Sequence, residues 1–345
     1  MAIVTRPARV GGWHGSEGPP EAHAPGDFSS GDSRTLARAA VWSRRLVVGT
    51  LAITAVAGIG LPGLASPITL VVAALGFAAG VPHGAIDHLA AARLAGGRSI
   101  ILITVAYAGL AAGTWALMTW AGTVALAVVV GLSALHFGLG ELHVTRQLSG
   151  WRPGAIPTVA LVIAGCGALL LPLARSGDDL AAVASAVSPD IAHLLGSAPM
   201  QAGLVITWLA AALVTVIAAL RSGHRGAAVD VVLIGLLGAL ASPLVAFAVW
   251  FGGWHALRHC ARMLSVEPGC RSLLHTGRRG AAIRRFARLA GWPSAGAFTV
   301  LAALGWFTTT APDPTTLVAE QLRLLLALTV PHMVVVGWLD RTPAP

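Results

Sequence analysis

Charge is what this chain has least of. Asp, Glu and Arg make up 11% of its 345 residues, and lysine does not occur at all. A soluble globular protein carries about a quarter charged residues and about 45–50% apolar ones even with glycine included; here 56% are apolar and the mean hydropathy is +0.76. That shortage excludes an ordinary soluble enzyme, a disordered chain and a nucleic-acid-binding module. The missing lysine, beside so much alanine and glycine, matches a GC-rich genome rather than a function. Cysteine is also scarce. Cys166, Cys260 and Cys270 are too few and too scattered for a disulfide framework or a thiolate metal knot, and Cys166, inside an apolar run, reads as a small packing hydrophobe. Residues 1–33 lack the apolar centre of a secretory signal and any apolar period, so they read as an uncleaved, disordered cytoplasmic tail, with His14 and His23 solvated in it.

What is present is a series of long apolar runs. A spanning helix needs about 20 mostly apolar residues, and the runs fall at 46–64, 68–92, 100–120, 123–143, 156–173, 202–220, 229–241, 244–263, 294–310 and 317–339, with Ser242-Pro243 separating the seventh from the eighth. The net charge of +9 is carried by arginines clustered between these runs, as membrane proteins distribute them. Arg34, Arg38, Arg44 and Arg45 precede the first run. Arg93 and Arg98, Arg146 and Arg152, Arg221 and Arg225, and the set from Arg271 to Arg288 follow the second, fourth, sixth and eighth. The connections after odd runs carry no arginine, except that Arg175 stands beside Asp178, Asp179 and Asp190. The expected fold is therefore all-α: a polytopic membrane helix bundle of about ten transmembrane helices in the cell membrane. Both termini are cytoplasmic, and residues 34–345 form a single membrane-embedded domain.

Ionisable residues inside membrane spans are costly and usually functional, and here they collect in even-numbered spans. The second carries Gly80-Val81-Pro82-His83-Gly84-Ala85-Ile86-Asp87-His88, and the fourth carries Ala134-Leu135-His136-Phe137-Gly138 followed by Glu141 and His143. The eighth carries Trp254-His255-Ala256-Leu257-Arg258-His259, and the tenth Pro331-His332-Met333 followed by Asp340. His83 and His136 each lie ten residues before an arginine, His255 seven before Arg262, and His332 eight before Asp340. At about 1.5 Å per residue these offsets agree to about one helical turn. Four helices thus present imidazole at one depth, which independent packing histidines have no reason to share and a metal centre does. His255 and His259, four apart, can chelate one ion. Asp87, four after His83, is a candidate partner for the far nitrogen of a ligating imidazole. His83 and His88 lie about 140° apart on a helix and cannot both serve. Gly80, Gly84, Gly138, Gly140, Gly252 and Gly253 would let the helices close on the site. His143 reads as interfacial, and His193, His224 and His275 as solvated loop residues. His332 stays open between ligand, supporting donor and cavity wall.

An all-imidazole set suits zinc, copper, iron or nickel rather than calcium or magnesium. A zinc hydrolase would need a general base such as Glu141 or Asp87. The aromatic surroundings (Phe137, Trp250, Phe251, Trp254, Trp306, Trp338) favour a lipid-soluble substrate. A transporter would show inverted repeats, a di-iron desaturase adjacent His-His pairs, and a haem protein paired axial histidines; neither repeats nor His-His pairs occur here.

The four histidine blocks, in this order on successive spans from about residue 45 to 340, resemble the signature blocks of the Brp/Blh family of integral-membrane β-carotene 15,15'-dioxygenases. That resemblance implies a ferrous iron, Fe(2+), held by His83, His136, His255 and His259, with O2 cleaving the central double bond of β-carotene or a related carotenoid into two retinal molecules. It also implies that Asp87 and Glu141 are acceptors fixing imidazole tautomers, that His332 lines or supports the site, and that His88 ranks below His83. The chain departs from the family in its long N-terminal tail and in the arginine-rich stretch after the eighth span.

Overall fold

The protein is described by a computed structural model that covers residues 30–60, 62–175, 184–308 and 314–342. The described residues form helices and no strand: α1 (Ser30–Gly60), α2 (Pro62–Gly80), a 3₁₀ turn (Val81–Gly84), α3 (Asp87–Leu94), α4 (Ile100–Trp120), α5 (Gly122–Ser149), α6 (Ala155–Gly165), α7 (Gly167–Ala174) and α8 (Pro189–Gly196). There follow α9 (Ala198–Arg221), α10 (Arg225–Leu240), α11 (Pro243–Val249), a π-helical segment (Trp250–Ala256), α12 (Leu257–Val266), α13 (Pro268–His275), α14 (Arg279–Thr308) and α15 (Pro314–Arg341). Of the tail expected over 1–33, residues 1–29 lie outside the described residues, and Ser30 to Ser33 already belong to α1.

Within the described residues each of the ten apolar runs is mostly helical, the first of them passing from α1 into α2. Six helices are long and apolar enough to cross a membrane, or seven if α6 and α7, bent 59° to each other, form one span. The remainder fall short for identifiable reasons. α10 is only 16 residues long, the run at 244–263 is divided by the π segment and carries Arg258 and Arg262, and the uncharged part of α14 is diluted by Gly291, Trp292, Pro293, Ser294 and Gly296.

The outer faces of the bundle are apolar, with Leu102, Val105, Ile156 and Leu213 all mostly exposed. Such a surface suits hydrocarbon, since water would leave it unfavourably hydrated. Inside, small residues bring backbones together. A Cβ on Gly252 would run into the Gly76 carbonyl oxygen, one on Gly80 into the Phe251 ring, and one on Gly138 into the Val162 carbonyl. These approaches press α2 against the π segment and α5 against α6. Between them sits a core cluster of Phe137, Ile234, Leu237, Trp250, Phe251 and Trp254.

Candidate metal centre

Two irregular segments place the central histidines. In the first, Pro82 has no N–H, and its ring crowds the preceding turn, so the helix tightens into the 3₁₀ turn, closed by the Ala85 amide donating to the Pro82 carbonyl at 3.2 Å. The turn carries His83, and the chain re-enters a helix at Asp87. In the second, the π segment inserts extra backbone per turn, a distortion that frequently marks functional sites, and it delivers His255 stacked against Trp250, with ring centroids 5.8 Å apart. His259 follows one turn later on α12, its ring nearly parallel to that of His255. His136 comes from α5, and His332 from α15, directly after the intrahelical Pro331.

The five rings meet. Centroid separations are 4.6 Å for His83–His332, 4.9 Å for His136–His332, 5.1 Å for His259–His332 and 5.4 Å for His136–His255. They are 5.5 Å for His83–His255, 5.7 Å for His83–His259 and 6.2 Å for His255–His259. An ion about 2.1 Å from each imidazole nitrogen sets ring centroids about 3.2 Å from it, hence about 4.5 Å apart at right angles and about 6.4 Å apart when opposed. These seven separations fall inside that window. One ligand atom each from His83, His255 and His332 lie within 4.8 Å of one another, as do those of Asp87, His259 and His332.

The polar bookkeeping agrees with the distances. Nε2 of His136, His255, His259 and His332 is buried and has no hydrogen-bond partner, whereas buried polar atoms are normally paired. His83 donates Nδ1–H to the Gly80 carbonyl at 2.5 Å. A carbonyl only accepts, so the Nε2 of the neutral ring keeps a free lone pair. These residues fit a resident metal ion.

Of the two carboxylates expected to accept from imidazoles, Asp87 does so, from His332 rather than its neighbour His83, and Glu141 does not. Asp87 does not serve His83, because the 3₁₀ turn between them abolishes the regular i,i+4 face; its Oδ2 accepts from His332 Nδ1 at 2.7 Å and from the Tyr107 hydroxyl at 3.2 Å. Glu141 binds no imidazole. Five residues beyond His136 on a regular helix, it points elsewhere, accepting from Trp254 Nε1 at 2.8 Å and Arg258 Nη1 at 3.1 Å. Phe137, Trp250, Phe251 and Trp254 are buried around the cluster, but Trp306 and Trp338 face outward from α14 and α15. His88 is half-buried, and His143 bonds Gln147. His224 stacks on Trp151. The sequence argument passed over Tyr107 and Arg258. The signal for Arg258 was available, an arginine inside an apolar span; for Tyr107, a half-buried tyrosine in a lipid-facing helix, there was none.

An all-helical bundle whose interior gathers five imidazoles from four separate stretches of chain, four of them with unpartnered ring nitrogens, is the scaffold of a helical membrane protein with a buried histidine centre. The chain belongs to the beta-carotene 15,15'-dioxygenase family, whose model matches residues 74–340 and so includes all five histidines. A curated relative from Halobacterium salinarum, named probable beta-carotene 15,15'-dioxygenase Blh, is 31% identical over 330 residues, covering 89% of this chain and 94% of its own length. No solved structure matches the chain.

Proposed function

We propose that this chain is a β-carotene 15,15'-dioxygenase that holds ferrous iron through His83, His136, His255 and His259. The reaction balances without further reactants: one O2 is consumed, the central carbon–carbon double bond breaks, and each half leaves as a retinal aldehyde. The observation that carries this reading is a cluster of close imidazoles in which four buried Nε2 atoms have no partner and ligand atoms of His83, His255 and His332 lie within 4.8 Å of one another.

The surrounding residues favour iron and oxygen chemistry over the rivals. Glu141 is committed through both oxygens to Trp254 and Arg258, so it is no free general base for a zinc hydrolase, and Asp87 holds His332 and Tyr107 through Oδ2. Rings this close together leave no slot between them for a haem macrocycle. When bound, the iron supplies the activation of dioxygen. The protein supplies position and dryness. Phe137 and Phe251, whose ring centroids lie 4.9 Å from His255 and 5.2 Å from His83 respectively, give the hydrocarbon substrate an apolar wall beside the imidazoles. A carotenoid dissolved in the bilayer reaches such an interior without crossing water, and the bond that is cut is the one held at the cluster.

The arginine alternation supports ten crossings of the cell membrane with both termini cytoplasmic and residues 34–345 as one catalytic domain. Expression in carotenoid-producing cells tests the activity: the cells lose orange colour, and retinal appears on chromatography. His255→Ala abolishes both retinal formation and bound iron. Persistence of both in that variant would remove His255 from the ligand set.

A further inference from the structure

We infer that His332 is a fifth imidazole ligand of the same ion, set in place by Asp87, which is in turn held by Tyr107. This rests on reading the cluster as a metal centre and adds a ligand and its support to it.

His332 is not peripheral. Its ring is the neighbour of three others, at 4.6, 4.9 and 5.1 Å, and it makes the two closest ring contacts within the cluster. It belongs to both groups whose ligand atoms lie within 4.8 Å of one another. Its side chain is buried, and Nε2 has no partner. Facing that nitrogen with a hydrocarbon substrate would leave it unsatisfied at a cost of about 1–3 kcal/mol, whereas a metal ion satisfies it.

The other end of the ring is anchored. Asp87, itself buried, accepts from Nδ1 at 2.7 Å, the carboxylate–imidazole pairing that orients ligating histidines and raises their basicity. Tyr107, the single tyrosine of the chain, donates to the same Oδ2 from α4 at 3.2 Å. Gly84 leaves room for the pair, since a Cβ there would stand 3.3 Å from Asp87 Oδ2 and 3.5 Å from His332 Nδ1. The Gly84–Asp87 block thus has a physical role distinct from that of His83: it seats the His332 partner. Five imidazoles on an octahedral ion leave one position open. That is sufficient here, because a hydrocarbon substrate brings no ligand atom of its own.

Cobalt(II) titration of full-length, detergent-solubilised protein tests the assignment, since the d–d spectrum reports coordination independently of turnover. Relative to wild type, His332→Ala weakens cobalt binding at least ~100-fold and changes the d–d band, Asp87→Asn weakens it about 10–100-fold, and Tyr107→Phe less than about 10-fold. If His332→Ala and His332→Gln both bind cobalt with wild-type affinity and an unchanged spectrum, His332 is no ligand, even where retinal formation is lost. X-ray absorption of iron-loaded wild type supplies a count that needs no variant: five imidazole scatterers support the inference and four overturn it. Failure of the wider reading looks different, because wild type itself would then bind neither iron nor cobalt at the cluster.

Discussion

Two buried polar clusters share the interior of this bundle, and they are resolved in opposite ways. In the first, imidazoles converge with four Nε2 atoms unpartnered. In the second, Arg258 sits fully buried over the Trp254 ring, its Nη1 donating to Glu141 at 3.1 Å and facing Asp230 at 3.2 Å, its Nε donating to Ser43 at 2.9 Å. Asp230 also accepts from Arg44 at 2.6 Å, and Trp254 donates to the free Glu141 oxygen. Two cations face two carboxylates, and of the guanidinium only Nη2 lacks a partner. The two clusters are neighbours on one stretch of chain, since Arg258 lies between His255 and His259. A dry interior tolerates polar groups that satisfy one another or that await a common ligand. The second cluster is of the first kind and locks α1, α5, α10 and α12 together; the imidazole cluster is of the second kind.

The largest effect expected from this contrast is on stability. Arg258→Ala leaves buried Glu141 without a counter-charge, while Asp230 keeps Arg44, and costs about 3–5 kcal/mol, whereas His136→Leu, in protein stripped of metal by a chelator, is neutral to within about 1 kcal/mol because it removes an atom that had no partner. Unfolding in detergent measures both. Equal losses would abolish the distinction between the two clusters.

A smaller effect sharpens it at the helix contacts. Gly252→Ala drives a methyl group into the Gly76 carbonyl, an overpacking that costs about 1–3 kcal/mol. It also displaces the π segment that carries His255, so iron content falls along with melting temperature. Gly131→Ala on α5, where a Cβ meets nothing within 4 Å, is neutral or slightly stabilising by helix propensity. Equal iron retention in the two variants would show that the close contact does not serve the site.

The same contrast explains what could be read from the residues alone. That His83, His136, His255 and His259 lie near one another was legible because an offset of seven to ten residues from a charge fixes depth to about a turn, and one 3₁₀ or π turn within it changes that depth by only a few ångströms. The partners of Asp87 and Glu141 were not. Asp87 follows a 3₁₀ turn that Pro82 imposes, so its direction cannot be taken from helical spacing, and its actual partner, His332, lies 245 residues away. Glu141 is claimed by Arg258 and Trp254, and which of several polar groups pair in a bundle depends on helix order, which apolar runs do not encode. Trp306 and Trp338 belong by composition to any aromatic cavity, yet they face outward, where an indole suits the membrane interface. The helical character of the runs was legible, but six or seven of them meet the length and apolarity of a span, because α10 has only 16 residues and the run at 244–263 is broken by the π segment.

A third charged cluster, outside the apolar spans, supplies the mildest test. Glu267 caps α13 by accepting from the Cys270 amide at 2.6 Å, and it also accepts from Arg285 at 3.0 and 3.1 Å and from Arg93 at 3.0 Å, tying the ends of α3, α13 and α14. Burial acts to raise its pKa, but the bonds from Arg285 and Cys270 outweigh it and hold the carboxyl at about 2, below its ordinary 4.5. A carboxylate depressed on folding stabilises the fold above its unfolded value and stops doing so as pH falls through the folded one. Glu267→Gln therefore carries its full deficit at neutral pH, about 1 kcal/mol or less because both arginines reach solvent. That deficit shrinks below about pH 4.5 and is gone near pH 2, as melting curves of the two proteins against pH would record. A deficit independent of pH would mean that the side chain acts through packing and the cap geometry that glutamine preserves, and that its charge, unlike that of Glu141 beside Arg258, holds nothing in place.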